Sequence, residues 1–471
     1  MSDLGPSSTA SDLAAALRRR EISSSELLDA CLEAVEERNP ALNAIALRND
    51  DQARAAAADA DRRLAAGEEA PFLGVPIPIK DLTPVAGWPV TFGSNGAPDG
   101  PSEESELVVD AFVRAGFVLC GRTTTPEFGV ITATETSRYG ITRNPWDTLR
   151  SPGGSSGGAA AAVSCGMFPI AHANDGGGSI RIPASYCGLV GLKPSRGRVP
   201  RLSQSWLGAV VEGVVAHSVR DAAGVLDVTS STDPCSWYNA PAPDRPFAAQ
   251  LDAEPPSLRI GLMAAAPLGI PTDPACSEAA TAAAELLEGL GHTVEPVEVA
   301  TISEEMVPPF IALTQAGFAD YDGVDWSRVE PHVAHGRAAA GETSSYDYAL
   351  AAKQLELLSR REVARWGRDF DVLLTPTSAV LPPLAGSVLE AQHAAPDMPV
   401  GEVVASVSFT AFGNVTGLPA ISLPLHFTES DLPVGVQLTG GPWQEATLIS
   451  IAAAIERAAP WAERRPALAT A

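Results

Sequence analysis

The sequence predicts an α/β fold with a mixed or mostly parallel sheet. From residue 73 onward, short apolar segments of strand character alternate with helical stretches, a pattern typical of α/β chains. The composition is 45% hydrophobic and 19% charged, which is enough apolar material for a large core. No run of 18 or more apolar residues occurs, so no membrane span is predicted.

The first eighty residues are predicted to be mainly helical. Ser23 and Glu26 have the spacing of a capping box at the start of a helix, which Asn39-Pro40 is predicted to end. A second, alanine-rich helix is predicted over 51–66. The strand candidates that follow are Phe117–Cys120, Arg259–Met263, Thr293–Val299, Val372–Thr375, Ile421–Leu425 and Val434–Leu438.

Three longer segments between these elements lack regular periodicity. The proline-rich stretches 233–256 and 381–400 are predicted to be surface loops and not linkers, because apolar patterning resumes after each. Segment 300–348 mixes aromatic and acidic residues and is predicted to wall a substrate pocket, with ordinary packing as the alternative. We predict one domain over residues 1–471, with a helical N-terminal region over about 1–70, a core over about 71–220 and a C-terminal part over about 257–471 that completes the sheet and pocket.

Charge and cysteine usage exclude several classes of function. The net charge of −25 opposes nucleic-acid binding, which requires clusters of lysine and arginine. The N-terminus has no basic start followed by an apolar stretch, so no secretory signal is predicted. The six cysteines include no CxxC pair, which favours reduced thiols. We therefore expect a cytoplasmic protein that binds neither nucleic acid nor membrane.

Two serines lie on separate glycine-rich turns, Ser155 in GGSSGG and Ser179 in GGGSIRIP. Glycine is used where the backbone turns sharply or approaches a ligand closely. Backbone N–H groups and serine hydroxyls on such turns predict an acyl-transfer site. The first turn also contains G-x-S-x-G around Ser156, the nucleophile elbow of α/β-hydrolases, so an esterase that uses Ser156 and a later histidine remains open.

Lysine is rare in this chain, occurring only at Lys80, Lys193 and Lys353. Lys80 ends the apolar run 72–79, so its amine is predicted to be buried. Burial lowers the pKa of a lysine, whereas arginine stays protonated, so Lys80 is a candidate base. The alternative is a structural ion pair between Lys80 and Asp81.

Taken together, these motifs resemble the signature of the amidase signature family. They are Gly74-Val-Pro-Ile-Pro-Ile-Lys80-Asp81, Gly153-Gly-Ser155-Ser156-Gly-Gly158 and Gly177-Gly178-Ser179-Ile-Arg181-Ile-Pro183. The resemblance continues through Arg143-Asn-Pro-Trp146, Cys187-Gly-Leu-Val-Gly-Leu-Lys193-Pro194, Asp371–Pro376 and Gly417–Pro424, and so covers nearly the whole chain. It implies a central twisted mixed β-sheet flanked by helices on both faces. It also implies an amidase that cleaves a carboxylic amide C–N bond without a cofactor or metal.

The resemblance implies a role for each signature residue. Ser179 matches the nucleophile that forms an acyl-enzyme, Ser155 the proton bridge that follows a cis peptide bond, and Lys80 the base, as in a serine–lysine variant of triad logic. The implied oxyanion hole consists of the backbone N–H groups of Gly176, Gly177, Gly178 and Ser179. The residues expected to hold the two turns are Ser156, Asp175 and Arg181.

Substrate preference is less strongly determined. The family usually has a side chain where this chain has Gly176, so we expect more room near the oxyanion hole. Some relatives with the pattern His172-x-Asn-Asp-x-x-Gly-Ser resemble hydrolases of cyclic amide oligomers, which suggests a xenobiotic or amino-acid-oligomer amide. The family commonly has an asparagine within the segment Thr123–Phe128, so this departure bears on specificity. The pocket candidates, chosen by position and bulk, are Phe128, Trp206, Phe310 and Trp326.

Three alternatives remain open beside a single-chain amidase of a small-molecule amide. They are the A subunit of a glutamyl-tRNA amidotransferase, which releases ammonia from glutamine and needs partner subunits, the esterase that uses Ser156, and a non-enzymatic binding protein. The pair His332 and His335 has no HExxH context or cysteine partner, so no metal site is predicted. A homodimer is kept open.

Overall fold

The computed structural model describes residues 4–470 and has a mixed α/β architecture. Helices flank a large sheet of eight strands, beside which lie a three-stranded sheet and a two-stranded hairpin. The strands are β1 (Ile45–Arg48), β2 (Pro76–Lys80), β3 (Val118–Thr123), β4 (Glu135–Thr136), β5 (Gly140–Ile141), β6 (Ile170–Asp175), β7 (Val190–Lys193), β8 (Val211–Ala216), β9 (Arg259–Leu262), β10 (Thr293–Pro296), β11 (Val372–Pro376), β12 (Ala420–Phe427) and β13 (Pro433–Gly440).

The helices lie between these strands and after the last one. They are α1 (Ala10–Arg19), α2 (Ser24–Leu42), α3 (Asp50–Ala65), α4 (Leu107–Ala115), α5 (Gly157–Ser164), α6 (Arg181–Cys187), α7 (Ser205–Gly208), α8 (Val219–Thr229), α9 (Pro274–Gly289), α10 (Val307–Ala316), α11 (Pro331–Glu342), α12 (Ser345–Val363), α13 (Ser387–Ala394), α14 (Gly401–Val407), α15 (Ala411–Thr416), α16 (Glu445–Ala458) and α17 (Ala467–Thr470). None of these helices is both long enough and apolar enough to cross a membrane.

The eight-stranded sheet has the order β10-β9-β11-β13-β12-β7-β8-β6. Strand β9 is parallel to both of its neighbours, whereas every other pairing in this sheet is antiparallel. The sheet is therefore mixed, which confirms the predicted fold class. All six strand candidates overlap observed strands, namely β3 and β9 to β13.

The N-terminal helices confirm one detail and correct another. Ser23 and Glu26 form the predicted capping box at the start of α2. The prediction that this helix ends at Asn39-Pro40 is wrong, because α2 continues to Leu42. Pro40 lies in the last turn, where the Asn39 side chain accepts hydrogen bonds from the backbone N–H groups of residues 44 and 45. A proline so close to the end removes only one main-chain hydrogen bond of the helix.

The two larger sheets meet where the signature motifs are located. Lys80 is the last residue of β2 in the three-stranded sheet, and its register partner in β3 is Thr123. Strand β6 forms one edge of the eight-stranded sheet and ends with Asn174 and Asp175. The backbone N–H of Lys80 donates to His172 Nδ1 in β6 at 3.3 Å, and this bond joins the two sheets.

Candidate active site

The amine of Lys80 is fully buried between three neutral hydrogen-bonding groups. Its Nζ lies 2.7 Å from Ser155 Oγ, 2.9 Å from Ser156 Oγ and 2.7 Å from Asn174 Oδ1. Burial lowers the pKa of Lys80 to about 7, although the more distant carboxylates of Glu212 and Asp175 act in the opposite direction. At neutral pH a large fraction of this lysine is therefore unprotonated.

The alternative that Lys80 pairs with Asp81 is wrong. The Asp81 carboxylate accepts hydrogen bonds from the backbone and hydroxyl of Thr91 and lies 3.6 Å from Arg122 Nε. Successive side chains along an extended backbone point in opposite directions. The side chains of Lys80, the last residue of β2, and of Asp81 therefore reach different partners.

The first glycine-rich turn presents Ser155 to a cavity through a cis peptide bond between Gly154 and Ser155. Only glycine fits at position 154, because a Cβ there would lie 2.7 Å from the backbone nitrogen of Ala133. The turn continues directly into α5, where a Cβ on Gly158 would lie 2.5 Å from the backbone nitrogen of Thr124. The glycines therefore allow the loop to pack directly against neighbouring backbone.

Asp175 organises the second turn. Its carboxylate accepts hydrogen bonds from the backbone N–H groups of Gly178 at 2.7 Å and Ile180 at 3.1 Å, and from Arg181 Nε and Nη2 at 3.0 and 2.9 Å. Burial alone would raise the pKa of Asp175, but the Arg181 guanidinium holds it well below its usual range. The buried side chains of Asp175 and Arg181 thus hold the loop that carries Ser179. This is the role expected for them from the sequence.

This arrangement corrects the predicted oxyanion hole. The Gly178 N–H is occupied by Asp175 and is not free for a ligand. The N–H groups of Gly176, Gly177 and Ser179 donate no hydrogen bond to any residue within 4–470, and all three residues line the cavity. The free donors at this turn are therefore those of Gly176, Gly177 and Ser179.

The cavity has a volume of about 390 Å³ and is predominantly apolar in lining. Ser155, Asn174 and Ser179 lie on its polar side, and much of its wall comes from segment 300–348, as predicted. The aromatic residues that line it are Phe128, Trp206, Phe310, Phe318 and Tyr321. Trp326, the fourth predicted pocket residue, is not among the lining residues. It stacks against Phe128 with ring centroids 5.5 Å apart and so supports the wall from behind.

The space expected beside Gly176 is already filled. A Cβ at this position would lie 2.7 Å from Cζ3 of Trp206, so the glycine accommodates the indole ring. Trp206 reaches this place through α7, a single turn in which Trp206 and Leu207 both have φ of 54°. The absence of a side chain at Gly176 therefore does not enlarge the cavity; it allows an aromatic wall to approach the second turn.

Behind Lys80 lies a buried network of polar side chains that the sequence does not predict. Because His172 Nδ1 accepts the Lys80 backbone N–H, its Nε2 carries the proton and donates to Glu212 at 2.9 Å. Glu212 also lies 3.0 Å from Nε of Arg201, which lines the cavity. Burial raises the pKa of Glu212, but Arg201 and His172 bring it below its usual range. No local sequence pattern indicates this network, because its residues come from three separate segments of the polypeptide.

Comparison with known proteins agrees with this geometry. A family model described as Amidase matches residues 26–449. The chain belongs to the amidase family. It is 35% identical over 483 residues to a 6-aminohexanoate-cyclic-dimer hydrolase from Pseudomonas sp. strain NK87, covering 96% of this chain and 95% of the relative.

Solved structures of amidases are similar over almost the whole chain. The structure of a 6-aminohexanoate cyclic dimer hydrolase complexed with substrate matches with a TM-score of 0.91 and 33% identity, covering 98% of this chain and 99% of that one. A bacterial aryl acylamidase of the amidase signature family matches with a TM-score of 0.86 and 27% identity, covering 97% of both chains. This chain is therefore an amidase signature enzyme that hydrolyses amide bonds.

Proposed function

We propose that this amidase cleaves its substrate through an acyl-enzyme on Ser179, with Ser155 as proton bridge and Lys80 as base. The observation that carries the proposal is the 2.7 Å separation of Lys80 Nζ and Ser155 Oγ beside the cavity that Ser179 also lines. The Ser179 hydroxyl has no hydrogen-bond partner within residues 4–470, so it is free to act on a bound molecule.

The hydrogen bonds around Lys80 direct its lone pair toward Ser155. Asn174 Oδ1 can only accept, so one Nζ–H points to it. The Ser156 hydroxyl donates to the backbone carbonyl of Asn174 at 3.2 Å and therefore accepts a second Nζ–H. A neutral amine has two N–H bonds, and its remaining lone pair thus faces the hydroxyl of Ser155. In this state Lys80 is set to take a proton from Ser155.

The acylation step follows from that arrangement. Ser179 Oγ bonds to the carbonyl carbon and passes its proton to Ser155, whose own proton moves to Lys80 Nζ. The tetrahedral oxyanion accepts hydrogen bonds from the free N–H groups of Gly176, Gly177 and Ser179. When the C–N bond breaks, the proton returns from Lys80 through Ser155 to the leaving nitrogen. The products of this step are an ester on Ser179 and a free amine or ammonia.

Deacylation uses the same groups in the same order. Water bonds to the acyl carbon and gives its proton through Ser155 to Lys80. Collapse of the second tetrahedral intermediate breaks the ester bond, and the proton returns to Ser179 Oγ. The acid is released, and the resting site is restored.

We propose a small amide with an aliphatic or aromatic body as substrate. The cavity of about 390 Å³ lies within the size range of small-molecule sites, and its walls are largely aromatic and aliphatic. The similarity to a cyclic-dimer hydrolase supports a cyclic or linear amino-acid oligomer as the first class to test.

The esterase alternative gains no support from the site. Ser156 does not line the cavity, and its hydroxyl is engaged with Lys80 and the Asn174 carbonyl. No histidine within residues 4–470 is hydrogen-bonded to Ser156; His172, which lies beside Lys80, is held by the Lys80 backbone and Glu212.

The proposal is tested by assaying the purified single chain on lactam oligomers, anilides and simple aliphatic amides. Ser179→Ala and Lys80→Met are expected to lower kcat/KM by at least 10³-fold, in line with the loss of a member of a catalytic unit. Lys353→Met is the matched control, because Lys353 is exposed on α12. Full activity in Lys80→Met would refute the mechanism. Inactivity of the wild type on amides, together with glutaminase activity only beside partner subunits, would favour the amidotransferase subunit.

A further inference from the structure

One cluster of side chains in the cavity wall has metal-ligating chemistry and no assigned role. Glu330 immediately precedes α11, His332 lies in the first turn of that helix, and His393 lies in the last turn of α13. One ligand atom from each of the three residues lies within 4.8 Å of the other two. His332 also lines the substrate cavity.

The carboxylate of Glu330 is buried with one oxygen unpartnered. Its Oε1 accepts the backbone N–H of Ser137 at 2.7 Å, whereas Oε2 has no hydrogen-bond partner within residues 4–470. The residue is 5% exposed. Within residues 4–470, the only ion-pairing groups within 4.0 Å of the Glu330 carboxylate are the imidazoles of His332 and His393. An oxygen so deeply buried is costly unless a donor or a cation faces it.

The two histidines supply the other ligand atoms of the cluster. Both ring nitrogens of His332 and Nε2 of His393 are buried without a hydrogen-bond partner in the described chain. Glu330 Oε2 lies 3.7 Å from His332 Nδ1 and 3.6 Å from His393 Nε2. These distances are too long for hydrogen bonds. They lie close to the edge length of about 3.3 Å expected between ligands of a tetrahedral zinc ion with bonds of roughly 2.0–2.1 Å.

Two further acidic side chains contact the segments that carry the cluster. Glu127 accepts the backbone N–H of Glu330 at 2.7 Å, and Glu135 binds the segment that leads into α13 through the N–H groups of Gly386 and Leu389. Both of these carboxyl groups are buried. Two further acidic side chains thus hold the segments that carry the cluster, and the two imidazoles offer nitrogen ligands.

We propose that Glu330, His332 and His393 bind a divalent transition-metal ion of the zinc type in the wall of the substrate cavity. Two imidazoles and one carboxylate form a ligand set typical of zinc, which leaves a fourth position for water or a ligand from the cavity. The ion would join α11 to α13, two helices separated in sequence that both border the cavity. The site is independent of the proton relay at Lys80.

The sequence predicts no metal site here, because the histidine that lies close to His332 along the chain is His335, on the same helix. His335 is exposed and does not belong to the cluster. The partner from the other helix, His393, lies in the stretch 381–400 that was predicted to be a surface loop, whereas the structure forms α13 there. The cluster therefore depends on tertiary contacts that the sequence did not reveal.

The test is isothermal titration of untagged, EDTA-treated full-length protein with zinc chloride at neutral pH. Cys235, an exposed thiol, is replaced by serine in every sample so that it does not bind the ion. We expect one equivalent of zinc to bind. Replacing a ligand in His393→Ala or Glu330→Gln is expected to weaken binding at least ~10–100-fold, the loss typical even of outer-shell substitutions. His335→Ala is the matched control and is expected to bind like the parent.

Two further measurements keep the outcome decisive. Cobalt is expected to give the visible absorption of a tetrahedral nitrogen–oxygen site in the parent and not in His393→Ala. The His393 side chain is 33% exposed, so its replacement leaves the fold intact, which circular dichroism checks. No zinc binding by the folded parent would overturn the proposal. Equal binding by the parent, His393→Ala and Glu330→Gln would overturn it as well.

Discussion

Placing a negative charge beside the amine of Lys80 is the sharpest test of its role as a neutral base. Asn174→Asp changes one atom in the side chain and puts a carboxylate oxygen where Oδ1 lies 2.7 Å from Lys80 Nζ. The lost amide nitrogen makes only a long contact of 3.5 Å to Thr83 Oγ1, so the substitution removes little else. The new charge stabilises the protonated amine and raises the pKa of Lys80.

The size of the shift follows from the distance. Two unit charges 2.7 Å apart attract by roughly 1.5 kcal/mol at a dielectric constant of ~80 and by roughly 6 kcal/mol at ~20. At about 1.4 kcal/mol for each pKa unit, the pKa of Lys80 rises by about 1 to 4 units from its value of about 7. Where activity follows the neutral fraction of the amine, each unit lowers kcat/KM by ~10-fold at a fixed acidic pH.

The assay is kcat/KM for a chromogenic anilide between pH 5 and 10. For the wild type we expect activity to rise with pH, with a midpoint near 7, because Lys80 accepts a proton only when it is neutral. For Asn174→Asp the midpoint moves to higher pH by at least about one unit, and activity recovers in alkali. Asn174→Ala is the control: it loosens the amine and lowers kcat without the alkaline shift. An unshifted midpoint in Asn174→Asp would refute the assignment of Lys80 as the base.

Two further predictions concern the turns that hold the serines. Asp175→Asn leaves the Arg181 guanidinium buried without its charged partner and is expected to lower the free energy of unfolding in urea by ~3–5 kcal/mol; a loss below ~1 kcal/mol would contradict the structural role. Gly154→Ala is expected to lower the melting temperature sharply because its Cβ would lie 2.7 Å from a backbone nitrogen. Gly177→Ala is the control, since no atom lies within 4 Å of a Cβ there; equal melting temperatures for the two variants would show that the argument from packing fails.

The sequence predicts the class of fold because that information is local. The alternation of apolar and helical segments can be recognised within short stretches of sequence, and all six strand candidates overlap strands of the structure. The pairing of those strands is not local. Nothing in the chain near Lys80 indicates that β2 belongs to a separate sheet, or that β6 closes one edge of the large sheet and meets β2 through His172. The helix boundary at Pro40 fails for a different reason: the hydrogen bonds from the backbone of residues 44 and 45 to the Asn39 side chain are local, but the residue types alone do not reveal them.

In the candidate site, too, some features follow from local sequence and others depend on the fold. Motif spacing and family resemblance identify Lys80, Ser155 and Ser179, and the structure brings Lys80 and Ser155 into contact beside a cavity that Ser179 lines. The hydrogen bond that occupies the Gly178 N–H could not be predicted, because it requires the position of the Asp175 carboxylate. The exclusion of Trp326 from the cavity likewise depends on how two aromatic rings stack.

The low pKa of Lys80 depends on the fold that surrounds its amine. Lowering a lysine pKa from 10.5 to about 7 corresponds to roughly 5 kcal/mol against the charged form, which is comparable with the net stability of many domains. The fold achieves this by giving Nζ only neutral hydrogen-bond partners, Ser155, Ser156 and Asn174. The carboxylates of Glu212 and Asp175 act from farther away and limit the shift. Lys80 ends a strand of the three-stranded sheet, Asn174 lies on β6 of the eight-stranded sheet, and the two serines lie on the turn before α5. The basicity of Lys80 therefore depends on how those sheets are joined.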